Sequence, residues 1–276
     1  KRKAAEVVPL AYKAAGDPDA GVRVIAVRTL GTLGGADDVP KLADMLRACK
    51  DDGLRGEIAR ALSDTASRTK QVEPVLAALA KADDATKPLL LEVLGVLQGD
   101  KALEAIRAGL GSSNVEVKRS AVRAISGWRD IAPMAELLKL AKEDSDEANK
   151  ILALRGYISM IPKISSEADR FTACKTAMDL ASRPDEKRLV LSPLGSVRTV
   201  EALELAEKYL DDPALKNEAM AACGSIAVEI AGKNPDKAAP VLERFIASSK
   251  DRRMVDRARK ALENIKANEA KSKKSK

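Results

Sequence analysis

The sequence predicts an all-α protein, a right-handed α-solenoid of about seven or eight helix pairs. Three observations carry that expectation. First, a unit of about thirty-two residues recurs along the chain. With Leu30 as anchor, equivalent positions fall at Leu62, Leu94, Ile125, Tyr157, Leu194, Cys223 and Leu262, at spacings of 32, 32, 31, 32, 37, 29 and 39. A period in this range marks stacked supersecondary units, not a closed globule. Second, the chain is 45% apolar but only 2% aromatic. Ala and Leu supply most of the apolar content; both are strong helix formers, and Ala lets helices approach closely. Third, one helix of each unit carries two apolar faces. The stripe Val22, Ala26, Leu30, Leu33 recurs as Leu54, Ile58, Leu62 and as Val117, Ala121, Ile125, while a separate column holds Val27, Ala59, Leu91, Val122, Leu154, Leu191 and Met220. The stripe is spaced to meet the partner helix and the column to meet the next unit. An isolated hairpin cannot bury both; a stacked array does.

Each unit reads as a first helix, a polar turn and a second helix. First helices are clearest at 37–49 and 72–80, with a proline expected near the start at Pro9, Pro40, Pro74, Pro133 and Pro240. A missing N–H costs little there, because first-turn donors have no partner within the helix. The turns before the second helices are acidic or polar: Asp17, Asp51-Asp52, Asp83-Asp84, Asn114, Asp144 and Asp146, Asp185, Asp211-Asp212 and Asp251. Such side chains cap orphan N–H groups and offset the positive end of the helix. Longer connections at 161–169 and 231–236 are the expected sites of a bend or a mobile loop. The period continues beyond both, so a single array over 1–266 is expected, followed by a disordered Lys-rich tail at 267–276 with almost nothing apolar to bury.

The clearest unit reads Asp17-Pro18, then Val22-Arg23, Ala26, Leu30-Gly31 and Val39-Pro40 with Leu42. This pattern resembles the HEAT repeat, especially the short bacterial form of phycobilisome-lyase-like HEAT proteins. The match is close in the first unit and looser later, with Thr86 where Val is usual and Pro193 inside a second helix. The resemblance covers roughly 4–266. It implies a HEAT-like α-solenoid, an armadillo-like superhelix with convex first helices and concave second helices. It also implies a non-catalytic scaffold that binds a protein or peptide. Nucleic-acid binding, as in HEAT-like DNA-repair glycosylases, is the alternative, and a bilin-lyase-like subunit ranks behind it.

The residues themselves give little chemistry. The chain has no histidine and three dispersed cysteines, Cys49, Cys174 and Cys223. No Ser/His or Cys/His nucleophile can be built, and a zinc site of the usual N/S type is implausible. No catalytic, cofactor-binding or metal residue is therefore assigned, and no enzyme activity is expected. No run of eighteen apolar residues spans a membrane. Reduced thiols fit the cytoplasm; a start at Lys1 also fits an exported form whose signal peptide has been removed. The net charge of +7 resides in residues 250–276, which hold 11 Lys/Arg and 4 Asp/Glu. The rest is neutral and poor in aromatics, which places nucleic acid behind an acidic protein or peptide as partner.

Two basic columns stand out. Arg23, Arg55, Lys87, Lys118, Lys150, Lys187 and Lys216 occupy the position expected to pair with turn acids of the same or adjacent unit. Five residues on, a second column of Arg28, Arg60, Glu92, Arg123, Arg155, Ser192, Ala221 and Lys260 lies opposite the buried stripe, and on concave second helices its four arginines point into the groove. Two readings stand: a solvated face held by salt bridges, or an anion-favouring groove. Trp128 carries two readings as well, a partner anchor on that face or a filler of the gap that Leu33 and Leu97 fill in sister units.

Overall fold

A computed structural model describes residues 2–274, with side chains described for 6–271. The described residues form sixteen α-helices and one short 3-10 turn, with no strand. The single array expected over 1–266 divides into two compact units, Lys1–Arg129 and Asp130–Lys276. The division falls where the chain leaves its helix at Gly127 and has no regular element until after Pro133.

The first unit contains α1 (Arg2–Ala14), α2 (Ala20–Leu33), α3 (Asp38–Ala48), α4 (Asp52–Thr69), α5 (Glu73–Ala80), α6 (Lys87–Leu97), α7 (Asp100–Leu110) and α8 (Val115–Ser126). Consecutive helices pair, and the second helices stack α2 on α4, α4 on α6 and α6 on α8. The second unit repeats the scheme with α9 (Met134–Glu143), α10 (Glu147–Met160), α11 (Glu167–Leu180), α12 (Pro184–Leu194), α13 (Val200–Glu207), α14 (Lys216–Ile230), α15 (Pro235–Ser248) and α16 (Arg252–Lys274). There α10 packs on α12, α12 on α14 and α14 on α16.

The two apolar columns account for the packing. Val27, Ala59, Leu91, Val122, Leu154, Leu191 and Met220 are all buried, as are the anchors from Leu30 to Cys223. Val22 and Leu33, expected in the stripe of the first unit, are instead exposed. Capping follows the polar turns in part: no side chain caps α6, α12 or α14, where the sequence places Asp83-Asp84, Asp185 and Asp211-Asp212 to do so. Asp19 accepts from the Val22 N–H, Asp51 from Leu54, Asn114 from Glu116 and Val117, Asp146 from Ala148 and Asp251 from Met254. At α2 the cap is Asp19, because Asp17 instead accepts from the Asp19 N–H.

Three expectations change in detail. Pro40 and Pro74 lie in first turns and Pro133 caps α9, but Pro9 and Pro240 lie inside α1 and α15, which begin earlier, at Arg2 and Pro235. Pro240 is exposed, so the carbonyl it leaves without a donor can face water. The long connection at 161–169 is largely ordered: a 3-10 turn over Ile161–Lys163 leads to Ser166, which caps α11. The segment expected as a tail is helical through Lys274, carried by helix formers such as Ala267, Glu269 and Ala270 although the described side chains beyond Ile265 bury nothing; residues 275 and 276 lie outside the described residues.

Stacking is closest where a glycine follows the anchor. A Cβ placed on Gly31 would lie 2.9 Å from Ala61 Cα, and one on Gly95 would lie 2.9 Å from Ala124 Cβ and 3.1 Å from its Cα. Gly56, in the interior of α4, would meet nothing within 4 Å. Opposite outcomes are expected from the same substitution. Gly56→Ala should stabilise by about 0.5–1 kcal/mol through helix propensity, whereas Gly31→Ala should destabilise by about 1–3 kcal/mol because backbone must move. Urea unfolding of the two variants checks both signs.

Candidate protein-binding surface

In the first basic column Arg23 and Arg55 tie neighbouring units, whereas Lys87 pairs within its own turn. Arg23 bonds the Asp51 carboxylate of the next unit at 3.0 Å and also donates to the Asp17 and Pro18 carbonyls. Arg55 donates to Thr86 Oγ1 at 2.9 Å, and Lys87 pairs with Asp84 at 2.8 Å. Thr86, the departure from the usual Val, is thus the acceptor that holds Arg55.

The four arginines of the second column are all paired, yet unevenly. Arg28 grips Glu57 through two bonds of 2.8 and 2.9 Å, and Arg60 approaches the same carboxylate at 3.8 Å. The carboxylate lies beneath: the Glu57 side chain is 17% exposed, against 59% for Arg28 and 69% for Arg60. The arginines hold its pKa below the usual glutamate value, chiefly through the Arg28 hydrogen bonds. Arg123 pairs with Glu92 at 2.8 Å, and both are about equally exposed, so this site is an ordinary surface pair.

In the second unit, Arg155 on α10 and Arg183 at the start of α12 both close on Glu186, at 2.8 and 2.6 Å. The glutamate side chain is only 2% exposed, while both arginines are about half-exposed. Its pKa is held below the ordinary value, first by the Arg183 hydrogen bonds and then by Arg155, against the opposing effect of burial. Each unit therefore carries a cluster in which two guanidiniums cover one shielded carboxylate; in the second unit Arg198 and Arg257 also meet Glu229, at 3.3 and 2.9 Å, but that carboxylate is 32% exposed.

Arg183 and Glu186 escaped sequence reasoning, although a signal existed. Eight residues before each anchor stand Val22, Leu54, Thr86, Val117, Asn149, Glu186, Leu215 and Met254. The three polar members of this mostly apolar column, Thr86, Asn149 and Glu186, are all buried and hydrogen-bonded. Trp128 is placed differently from the binding-face assignment. It is 4% exposed, so the ring lies inside the protein and is not presented to a partner.

The first unit also has an open groove of about 640 Å³ at the N-terminal turns of α4, α6 and α8, with Gly56, Ala85, Pro88 and Leu89 in its wall. Asp52, Asp84 and Glu116 stand along it at one-unit spacing. Each is paired to the base three residues on, Arg55 at 3.6 Å, Lys87 at 2.8 Å and Arg119 at 2.8 Å. The groove is consequently of mixed charge.

Burial pushes the Cys174 and Cys223 thiols up to about 12, which leaves them protonated and poor nucleophiles at neutral pH. Among the described residues, no group of three or more His, Cys, Asp or Glu side chains is placed to hold a metal ion, and no helix is long and apolar enough to cross a membrane.

With this geometry, the class of protein is a helical-repeat scaffold. Residues 1–63 match the family model of HEAT repeats. An engineered protein solved by crystallography in a structural genomics programme is similar in fold, with a TM-score of 0.52 and 20% identity over 94% of this chain and 78% of that one. A designed armadillo repeat protein aligns over 94% of this chain and 99% of its own at 20% identity, with a TM-score of 0.25. No curated protein matches the chain at a significant level.

Proposed function

We propose that the chain is a non-catalytic scaffold that binds an acidic segment of a partner protein on the exposed side of its second helices. One observation carries this reading: Arg28 and Arg60 project above the single shielded carboxylate of Glu57. The arrangement recurs as Arg155 and Arg183 above Glu186. A carboxylate held beneath fixes the guanidiniums in orientation, and their outward edges retain donors for a second acceptor. Arg123 contributes less, because its partner Glu92 is equally exposed. The match of residues 1–63 to HEAT repeats supports a binding scaffold, since stacked repeats create extended interaction surfaces.

The test is peptide display against the intact chain. Sequences rich in Asp and Glu should be enriched, and their affinity should fall at least tenfold in the Arg28→Glu, Arg60→Glu double variant. Binding should weaken as salt rises, because the contacts are exposed. Enrichment of basic or purely apolar sequences, or unchanged affinity in a variant with native helix content, would refute the proposal. Tighter binding to a single-stranded oligonucleotide than to any selected peptide would favour nucleic acid instead.

A further inference from the structure

The first basic column loses its tie at α14. Lys216, seven residues before the Cys223 anchor, holds the place of Arg23, and Asp251, eleven before Leu262, holds that of Asp51. Arg23 and Asp51 are 28 residues apart and bond at 3.0 Å. Lys216 and Asp251 are 35 apart, the longer connection at 231–236 lying between them. The Asp251 carboxylate accepts from the Met254 N–H at 3.1 Å, and among the described residues no ion pair joins it to Lys216.

Lys216 instead lines an open pocket of about 560 Å³. The pocket is internal to the stack. Its walls come from α14, the last turn of α15 and the 249–250 connection into α16, all of them described, and α14 packs on both α15 and α16. Met220 and Phe245, 7% and 3% exposed, give it an apolar floor. Gly224 seats the Phe245 ring, since a Cβ there would collide with it.

The polar wall consists mainly of donors. Lys216 and Lys250 are both exposed and form no ion pair among the described residues. Ser249 Oγ accepts from the Asp251 N–H at 3.2 Å, so its own O–H is left to donate. The Asn217 amide has no hydrogen-bond partner among the described residues and adds two more donors. Only the Ser248 hydroxyl is spent, on the Arg244 carbonyl at 2.8 Å. No carboxylate lines the pocket; Glu218 lines a separate recess with Arg188 of α12.

We propose that this pocket binds a small organic phosphate, a phosphomonoester whose organic part is apolar. Two ammoniums on separate elements, with no acid between them, call for a dianion. A phosphomonoester carries close to two negative charges at neutral pH and three acceptor oxygens, enough to meet both lysines and a hydroxyl or amide donor. A carboxylate brings one charge and two oxygens. Inorganic phosphate has the charge but leaves the floor of Met220 and Phe245 uncovered. A purely apolar ligand would cover the floor and strip water from the two ammoniums without replacing it. The volume lies within the range of about 300–1,000 Å³ that small-molecule sites occupy.

Titration of the full, 15N-labelled chain with phenyl phosphate, followed through its amide shifts, tests the proposal. The expected result is saturable binding with the largest shifts at Asn217, Ser249 and Lys250. Inorganic phosphate and benzoate should each bind about tenfold more weakly, the first for want of the ring and the second for want of charge. Lys216→Gln with Lys250→Gln should weaken phenyl phosphate about tenfold or more, with unchanged helix content and melting temperature because both side chains are exposed. Shifts that never saturate, or that spread over the Lys-rich C-terminal residues, overturn the proposal. So does benzoate binding as tightly as phenyl phosphate, or an affinity untouched by the double substitution. A phosphotyrosyl peptide that binds far tighter than phenyl phosphate would place the phosphate on a protein and overturn the small ligand.

Discussion

Replacing Trp128 by Ala should lower the unfolding free energy by about 3–5 kcal/mol, the usual cost of removing a buried aromatic ring. The side chain is 4% exposed, and the residue's backbone N–H donates to the Ile125 carbonyl at 3.1 Å in the turn that follows α8. A partner anchor behaves differently: its truncation spares stability and removes affinity. A drop in urea midpoint without loss of affinity for selected peptides would place the ring in the core. A loss of less than about 1 kcal/mol, accompanied by lost affinity, would return Trp128 to the binding face.

The second large effect should come from the buried carboxylate of the second unit. Replacing both Arg155 and Arg183 by Ala should destabilise the protein at neutral pH, because Glu186 is then left shielded without a cationic partner. The half-exposure of the two arginines allows water to recover part of the loss. Either single substitution should cost much less, because the remaining guanidinium still bonds Glu186. The two should therefore be markedly non-additive in thermal or urea unfolding. Equal and additive small losses would show that Glu186 is adequately solvated without them.

The pH dependence has a definite sign. The Glu186 pKa is depressed in the folded state, first by Arg183 and then by Arg155. Its contribution is therefore present above the ordinary glutamate value of about 4.3 and is lost as pH falls through the folded value. Glu186→Leu places the residue found at Leu54 and Leu215 into the same column. It should be close to neutral at pH 7 and should reduce the loss of stability on acidification.

The fold was legible because its signals are local and repeated. Helix propensity, turn acids and two apolar columns recur each thirty-two residues, so each unit reinforces the reading of the others. Thus Val27 through Met220 could be assigned to the inter-unit contact from spacing alone, and all seven are buried. The arginine column was legible as a column but not as a site. Its character depends on which carboxylate each side chain reaches, and those partners lie about thirty residues away in sequence. Arg28 finds Glu57, Arg123 reaches back to Glu92, and Arg155 shares Glu186 with an Arg183 that no column contains. Trp128 was ambiguous for a related reason: a large amphipathic ring suits either a core or a partner, and its burial decides between them.

By itself, the sequence determined the helical-repeat architecture and the absence of histidine, because these depend on residue type and short spacing. Only the tertiary structure decided which charges are covered and which project, and that the chain forms two compact units. Those outcomes depend on which surfaces meet, and packing across neighbouring units sets burial and pairing at separations that one-dimensional periodicity does not encode.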